Sequence, residues 1–423
     1  MTRVAVVGLG KIGLPLAALF AGRGAQVTGC DIDPEVVEAV SRGESPVKGE
    51  PGLDEAVRLA HAAGNLRATA NTAAAVAESD VVVVVVRAGI DSAGRPNYRQ
   101  LDAAAGAIAH GLRRGTLVLL ETTVPVGTTR HHFGRLLRGG SGLGEGDFHL
   151  AYSPERVSSG SVFRDLATYP KLVGGVDAAS GAAAKRFYSS MLEAEVLLLP
   201  DAETAEFTKL AESVYRDVNI ALANELARAA EQLGVDFAVA SAAANSQPYS
   251  HLHDPGLGVG GHCIPVYPYF LMQAADLPLV SMARETNDSM AEHGVGRLAE
   301  ALEDGLAGRT VLILGLAYRG GVKEAELSST LLVAEALRRR DARVLVHDPL
   351  FSASEVRALG LEPATLPPSV AVDAIVLQAG HPEYAGIDFR SFRGCAAVLD
   401  GRRFFDPAAV EAAGLRYLAI GKP

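Results

Sequence analysis

One cysteine lies in a loop whose composition is suited to holding a reactive group. Residues 256–270 read GLGVGGHCIPVYPYF, which places Cys263 after His262 and a run of glycines and ahead of Pro265 and Pro268. Glycine permits close backbone approach or positive φ and proline restricts the exit path, so we expect the thiol on a stiff loop. Cys263 is therefore a candidate nucleophile, although packing as a small apolar residue would also explain an isolated cysteine.

A glycine-rich turn near the N-terminus has the pattern of a dinucleotide site. Residues 3–31 read as a strand, a turn of the form G-x-G-x-x-G, a helix and a second strand that ends in Asp31. The diphosphate would lie at the helix N-terminus. Because no arginine directly follows Asp31 to receive a 2′-phosphate, NAD is favoured over NADP. The predicted cofactor contacts are Gly8, Gly10, Lys11, Ile12, Gly13, Asp31 and Thr123.

Further polar side chains follow later strands of the same predicted sheet. A strand at 117–121 is followed by ETTVPVGTTR, which places Thr123 at the carboxyl end, where open parallel sheets hold their ligands. Glu155 and Arg156 follow another predicted strand. Threonines at such places are often only turn formers, and an adjacent acid and base are often a solvated pair. These residues remain candidates.

Residues 202–233 contain no glycine or proline and carry apolar residues at helical spacing. A helix of this length extends about 45 Å. Lys209 and Ser213 share one face, which Arg216, Asp217 and Asn224 continue as a polar stripe. Such a stripe is most often a water-facing surface, but a lysine amid apolar neighbours can also place an ammonium beside a reacting oxygen.

The strand, glycine-turn and helix pattern begins again at 310 and ends its second strand before Asp348. The turn, GLAYRGG, departs from the nucleotide fingerprint, and Arg319 and Lys323 lie in or near it as cations suited to a second phosphate-bearing ligand. We therefore predict an α/β protein with two Rossmann-like doubly wound domains joined by a long central helix. The expected domains are 1–200 for NAD, 201–305 for the central helices and the cysteine loop, and 306–423 for the second phosphate-bearing ligand.

Composition limits the other classes of function. The chain has 423 residues, 48% of them hydrophobic and 21% charged, which is typical of a multidomain globular protein. The longest valine run, 81–86, is too short to span a bilayer, and no signal peptide is predicted before Gly8. Three distant cysteines indicate neither a disulfide framework nor a metal site, so we expect a cytoplasmic location. A net charge of −10 without a basic block argues against nucleic acid.

Taken together, these features resemble the UDP-glucose/GDP-mannose dehydrogenase family. The motifs that carry the resemblance span essentially the whole chain in order: GLGKIGLPLA, TTVPVGTT, YSPERV, KLAESVYRDVNIALANELA, GVGGHCIPV, GLAYRGGVKE and LDGRR. The motif YSPERV is similar to that of the branch acting on UDP-N-acetylhexosamines. UDP-glucose and dTDP-glucose also remain possible substrates. The resemblance favours Cys263 as a nucleophile over a packing residue.

The resemblance implies two NAD-dependent oxidations at C6 of a nucleotide-diphosphate hexose, giving a uronic acid such as those used in polysaccharide biosynthesis. Cys263 would trap the intermediate aldehyde as a thiohemiacetal, which becomes a thioester and is hydrolysed. Lys209, with Ser213 beside it, would stabilise an oxyanion or assist proton removal, while Glu155 acts as base toward water that Thr123 orients. Lys209, Glu155 and Cys263 are predicted to converge. The implied substrate contacts are Glu155, Arg156, Lys209, Gly260, Lys323 and Arg402, and a homodimer through the central helix is expected.

Two departures from the family pattern keep other functions open. Many relatives have asparagine at the position of Ser213, and many have GHCIPVDP, with an aspartate where this chain has Tyr267. The role of that acid would then pass to a group such as Glu155, or hydrolysis would be slow. The alternatives are a two-electron hydroxyacid dehydrogenase in which Lys209 is catalytic and Cys263 silent, and a non-catalytic NAD-binding protein.

Overall fold

The computed structural model describes residues 1–91 and 93–423. The chain divides into two units, one formed by Met1–Glu212 with Tyr269–Ala274 and the other by Ser213–Pro268 with Ala275–Pro423. Each unit contains its own parallel sheet with apolar clusters on both faces. Helices α9 (Ala202–Leu233) and α11 (Tyr267–Met272) contribute residues to both units.

The first unit is built on an eight-stranded sheet with a small two-stranded hairpin beside it in the chain. The strands are β1 (Arg3–Val7), β2 (Gln26–Cys30), β3 (Leu66–Thr69), β4 (Val81–Val84), the hairpin strands β5 (Gly89–Ile90) and β6 (Pro96–Asn97), then β7 (Leu117–Leu120), β8 (His149–Tyr152), β9 (Lys171–Gly175) and β10 (Val196–Leu198). The order across the large sheet is β10-β9-β8-β7-β4-β1-β2-β3, and among the described pairs of this sheet only β8/β9 is antiparallel. The order reverses between β1 and β4, where doubly wound sheets bind ligands.

Strands β4 and β7 are buried along their full length, which is why they read as unbroken runs of valine and leucine instead of alternating patterns. The connecting helices are α1 (Gly13–Gly22), α2 (Pro34–Ser41), α3 (Leu53–Ala62), α4 (Thr72–Ala77), α5 (Arg99–Gly111), α6 (Gly134–Ser141), α7 (Val162–Thr168) and α8 (Ala178–Met191), with a π-helical turn at Thr128–Phe133. Buried Leu14, Leu16 and Phe20 join α1 to the core beneath the glycine turn.

The second unit repeats the doubly wound plan with six parallel strands in the order β13-β12-β11-β14-β15-β16. They are β11 (Thr310–Leu314), β12 (Arg343–His347), β13 (Glu362–Pro363), β14 (Ala374–Leu377), β15 (Ala397–Asp400) and β16 (Arg416–Ala419). Its other helices are α10 (Phe237–Ala244), α12 (Pro278–Ala301), α13 (Ser329–Arg338), α14 (Ala353–Ala358) and α15 (Pro407–Ala412), with 3₁₀ turns at Pro382–Tyr384 and Phe389–Ser391. The two parallel sheets confirm the predicted fold class.

The polar stripe on α9 is more buried than its sequence pattern indicates. On α9 the polar stripe is not a water-facing surface throughout: Asp217 and Asn224 are fully buried, and Ser213 is nearly so. The hydrogen-bond partners of Asp217 and Asn224 lie on α12, more than sixty residues away in the sequence.

Among the residues that the structure describes, no helix combines the length and apolarity needed to cross a membrane.

Candidate active site

The three glycines of the first turn differ in the space around them. A Cβ on Gly8, whose φ is +96°, would lie 2.4 Å from the Val85 carbonyl oxygen, and a Cβ on Gly13 would lie 1.8 Å from the carbonyl oxygen of Gly8. A Cβ on Gly10 would meet no atom within 4 Å. Gly8 and Gly13 are therefore required by the chain's own packing. Gly10 leaves open space at the start of α1, which is the shape that a pyrophosphate needs.

Asp31 lies directly after β2 and is held toward this turn. Its Oδ2 accepts a hydrogen bond from the Leu9 N–H at 2.8 Å, and its Oδ1 accepts one from the Asp33 N–H at 3.0 Å. Each carboxylate oxygen has a further lone pair, so the group can still accept from a ribose hydroxyl. Lys11 and Ile12 are half-buried between Gly10 and α1. The residues present therefore fit a bound NAD.

The threonine loop after β7 is anchored by an acid that sequence reasoning missed. Glu206 on α9 is fully buried and accepts hydrogen bonds from the Gly127 N–H at 2.5 Å, the Thr129 N–H at 2.8 Å and the Thr129 hydroxyl at 2.6 Å. Burial raises the pKa of Glu206 to about 7. Thr123, 5% exposed, lies in the loop that these bonds hold. The sequence does contain a signal for a buried Glu206, because this acid lies on the apolar side of helix α9.

The structure brings Lys209 and Glu155 together within the first unit. The Lys209 ammonium donates to the main-chain oxygen of Glu155, and the Glu155 carboxylate accepts from the Val157 N–H. Burial raises the pKa of Glu155, and the nearby Lys209 ammonium acts in the opposite direction. The neighbouring Arg156 is not simply solvated, because it pairs with Glu212 at 2.5 Å and donates to the Pro170 carbonyl at 2.9 Å.

A buried charged cluster adjoins Glu155 and was also missed. Lys171, at the start of β9, pairs with Glu121 at 2.7 Å, and both side chains are almost fully buried. The Tyr188 hydroxyl donates to the same carboxylate. Lys171, Glu121 and Glu155 line one small cavity. Neither lysine nor glutamate is buried without a partner, so this arrangement keeps the charge near Glu155 balanced.

In the second unit, two features fix the beginning of the cysteine loop. One is a slot between Gly294 and Gly401 that holds Leu257, and the other is a polar network around Asn224. The Leu257 side chain lies 2.2 Å from where a Cβ on Gly294 would be and 2.6 Å from where one on Gly401 would be. The Gly256 N–H donates to Asn224 Oδ1 at 2.9 Å, and Asn224 donates to Asn287 at 2.8 Å. The buried polar residues of α9 therefore position this loop.

The next glycines of the loop are required by packing against residues 318–328. A Cβ on Gly260 would lie 2.8 Å from Tyr318 Cβ and 3.0 Å from the Leu327 carbonyl oxygen. Gly261 has φ +96°, and its N–H donates to the Glu326 carbonyl at 2.9 Å. These contacts give Gly260, a predicted substrate contact, a structural role. They support the expectation that the loop is stiff.

Polar groups surround the Cys263 thiol. Its Sγ lies 3.5 Å from the Tyr267 hydroxyl, and the adjacent His262 ring pairs through Nδ1 with Glu324 at 2.5 Å. The main-chain oxygen of Cys263 accepts from the Tyr267 N–H at 2.9 Å, which leads the chain into α11. By contrast, burial raises the pKa of the Cys30 thiol to about 12 and that of Cys395 to about 11. Cys263 has the most reactive setting of the three cysteines.

The cations predicted for the substrate phosphates lie in the second unit. Arg402 is exposed, and its Nε donates to the Gln378 carbonyl at 2.9 Å. Lys323 pairs with Glu355 at 2.7 Å, and both side chains are about half exposed. Ser213 is 6% exposed, which leaves its hydroxyl little access to solvent.

Asp348 occupies the place in the second sheet that Asp31 has in the first. Its Oδ2 accepts from the Leu316 N–H at 2.7 Å, the Ala317 N–H at 2.9 Å and His381 Nε2 at 3.0 Å. One carboxylate oxygen therefore already has three donors from the protein. This difference agrees with the departure of GLAYRGG from the dinucleotide fingerprint.

Family models match the chain in three successive segments. The NAD binding domain of the UDP-glucose/GDP-mannose dehydrogenase family matches residues 2–192, its central domain residues 203–289, and its UDP binding domain residues 312–407.

Named relatives match nearly full length. The chain is 36% identical to a UDP-N-acetyl-D-mannosamine dehydrogenase of Pyrococcus horikoshii, covering 99% of both chains. It is 33% identical to an NDP-N-acetyl-D-galactosaminuronic acid dehydrogenase of Ralstonia solanacearum, covering 91% of this chain and 92% of that one. The solved structure of the Pyrococcus horikoshii UDP-D-ManNAc dehydrogenase has a TM-score of 0.90 at 35% identity, covering 100% of this chain and 99% of that chain. The chain therefore belongs to the UDP-glucose/GDP-mannose dehydrogenase family, and it is an NAD-dependent oxidoreductase that acts on the CH–OH group of a nucleotide sugar.

Proposed function

We propose that this protein oxidises the C6 hydroxyl of a UDP-N-acetylhexosamine, of the UDP-N-acetylmannosamine type, to the uronic acid in a four-electron reaction. The relatives support this substrate class, since they include a UDP-N-acetyl-D-mannosamine dehydrogenase and an NDP-N-acetyl-D-galactosaminuronic acid dehydrogenase. The observation that carries the four-electron course is the setting of Cys263, a thiol on a rigid loop with a hydroxyl and a charged pair beside it. A two-electron alcohol dehydrogenase does not need such a thiol.

The covalent chemistry is assigned to Cys263. NAD, when bound, supplies the hydride acceptor for both oxidations. After the first oxidation the Cys263 sulfur adds to the aldehyde carbon, so that a C–S bond forms and the carbonyl π pair moves to oxygen. Loss of a second hydride from that carbon gives a thioester, and one water molecule hydrolyses it to the carboxylate and the free thiol. The complete reaction uses two NAD and one water for each sugar.

Lys209 and Glu155 are assigned the proton and charge transfers. An ammonium stabilises the negative oxygen that develops when the alcohol is deprotonated, which is the role of Lys209. A carboxylate whose pKa burial has raised accepts protons more readily near neutral pH, so Glu155 is assigned as the base toward the hydrolytic water. Thr123 orients that water, and Ser213 is a weaker donor near the oxyanion. Lys323 and Arg402 bind the diphosphate.

The test counts NADH formed per sugar consumed, with UDP-N-acetylmannosamine, UDP-N-acetylglucosamine, UDP-glucose and dTDP-glucose as substrates, for the native protein and for Cys263→Ser. We expect about two NADH per sugar and a steep loss of acid formation in the variant. One NADH per sugar with an unaffected variant would instead identify a two-electron dehydrogenase that relies on Lys209. No NADH with any sugar would leave a binding role.

We also propose that the protein is a homodimer that uses one face of α9. Four exposed apolar residues lie on this face: Tyr215 is 56% exposed, Leu222 44%, Leu226 38% and Leu233 77%. Their spacing of seven, four and seven residues places them in one stripe along the helix. A second copy presents the same stripe, so a two-fold interface can bury both.

A further inference from the structure

We propose that His262 and Glu324, together with the hydroxyl of Tyr267, hold the Cys263 sulfur in its anionic, nucleophilic form before the aldehyde arrives. His262 is a positioning residue in this scheme, because it acts on the substrate through the sulfur. The inference rests on the proposed function. It extends that function by naming the residues on which the second oxidation depends and the first does not.

The geometry supports a fixed acid behind the histidine. Glu324 Oε1 lies 2.5 Å from His262 Nδ1, and the Glu324 side chain is only 12% exposed. The main chain of Glu324 is held on both sides, since its carbonyl accepts from the Tyr318 N–H and its N–H donates to the Val322 carbonyl, each at 3.0 Å. A carboxylate fixed in this way orients the imidazole and favours its protonated form.

The charges around His262 act in the same direction. The Cys263 sulfur and the Glu324 carboxylate raise the pKa of His262 to about 10. These two groups come from the loop itself and from segment 318–328, and the phenol of Tyr267 on α11 faces the sulfur. The ring therefore stays an imidazolium at neutral pH and loses its proton only as the pH rises toward 10. A cation beside a cysteine favours the thiolate.

Tyr267 supplies a neutral donor to the same sulfur. Its hydroxyl, 3.5 Å from Sγ, can donate to a thiolate. The resemblance to the family leads one to expect an aspartate at this position. A carboxylate there would repel an anionic sulfur, whereas a phenol stabilises it, so the substitution is compatible with stronger nucleophilic character at Cys263.

The step that these residues assist involves no net oxidation. The thiolate sulfur donates a lone pair to form the C–S bond, and the carbonyl π pair moves to oxygen, which takes a proton from the His262 imidazolium or from water. The first oxidation is complete before this addition begins. Changing His262 should therefore slow formation of the acid and leave formation of the aldehyde unchanged.

The first experiment measures the rate of alkylation of Cys263 by iodoacetamide between pH 6 and pH 10.5, with each cysteine resolved by mass spectrometry. In His262→Asn the midpoint of the profile should move up by about one pH unit. At pH values below both midpoints this reduces the thiolate about tenfold but raises its intrinsic reactivity about threefold. We expect a net rate about threefold slower below both midpoints and faster than wild type above them. Glu324→Gln and Tyr267→Phe should also move the midpoint of the alkylation profile upward, but by a smaller amount.

The matched control is His293→Asn, which removes a different His–Glu pair, with His293 Nε2 2.7 Å from Glu231. Its Cys263 profile should match that of wild type, and alkylation of Cys395 should be the same in all variants. A merely structural role for His262 would lower or raise the rate at every pH, so only crossing profiles support the proposal. Superimposed profiles for wild type and His262→Asn would overturn it. Thermal unfolding of each variant identifies any that fails to fold, and Glu324→Gln then serves in its place.

The second experiment follows a single turnover. In His262→Asn the first NADH should form at the wild-type rate and the second several-fold more slowly, with free aldehyde trapped by a hydrazine reagent. Equal slowing of both steps would overturn the inference. If Cys263→Ser itself leaves two NADH per sugar, the proposed function fails; if only Cys263→Ser is impaired, the proposed function stands and this inference fails.

Discussion

Single residues in this protein have roles that their type alone does not reveal. Gly8, Gly10 and Gly13 belong to one sequence pattern, yet two of them are required because a Cβ would strike a carbonyl oxygen of the chain, and one has open space beside it. The difference separates two residues that the fold needs from one that we propose the cofactor needs. It also allows the two needs to be measured separately.

Gly10→Ala and Gly13→Ala form a matched pair for this purpose. Gly10→Ala should leave the free energy of unfolding within about 1 kcal/mol of wild type and raise the KM for NAD at least about tenfold, because the methyl group occupies pyrophosphate space. Gly13→Ala should lower the free energy of unfolding by about 3 kcal/mol or more, since its Cβ would lie 1.8 Å from a backbone oxygen that no rotamer change can move. Chemical denaturation and NAD titration of both variants check the prediction. Normal NAD binding by Gly10→Ala would contradict the assignment.

At the level of elements, the cysteine loop is held at two places before Cys263. Leu257 lies in a slot between glycines of α12 and of the turn after β15, while residues 260 and 261 pack on segment 318–328. Asn224 on α9 binds the main chain at Gly256. Strain or loosening at the slot should therefore reach Cys263 through the loop.

Gly294→Ala and Gly296→Ala, on the same helix, test the slot. Alanine favours a helix over glycine by about 1 kcal/mol, which should stabilise Gly296→Ala, whose Cβ would be 3.8 Å from its nearest neighbour on Arg340. In Gly294→Ala the Cβ would lie 2.2 Å from the side chain of Leu257, which is fully buried between its neighbours. Overpacking of this kind destabilises a protein by about 1–3 kcal/mol, which should exceed the gain in helix propensity. We expect a lower Tm and a lower kcat only for Gly294→Ala. A Tm increase in both would show that the slot is not tight.

At the level of the whole molecule, one helix that contributes to both units carries a stripe of exposed apolar side chains. The stripe at Tyr215, Leu222, Leu226 and Leu233 is unusual for a surface that meets only water. A helix face of this kind is stable in solution when a second copy covers it. The oligomeric state is therefore a property that α9 should control.

Leu222→Glu should convert a dimer into a monomer, because it places two carboxylates in the centre of a two-fold apolar interface. Sedimentation velocity at several protein concentrations gives the mass. Leu359→Glu is the control, since Leu359 is similarly exposed, at 42%, on a different surface. A wild-type monomer, or a Leu222→Glu variant that keeps the dimer mass, would contradict the proposed interface.

Much of the fold and part of the site could be predicted from the sequence, because the signals are local. Three features are of this kind: the turn at Gly8 to Gly13, the buried strands of valine and leucine, and the bounds of α9. Each depends on residues that lie close together in the sequence, within one strand or a few helical turns. The same holds for Cys263 between glycines and prolines. Backbone preferences and periodicity suffice at this range.

Tertiary structure decided which polar side chains are buried and with what partner. Lys171 meets Glu121 across 50 residues, Glu206 meets Thr129 across 77, and His262 meets Glu324 across 62. Local periodicity contains no information about such pairs, and it favoured a water-facing stripe although Asp217 and Asn224 are fully buried. Burying a charge or an amide is tolerated only where a partner from another element compensates its lost hydration, so these positions were determined by packing of the whole unit.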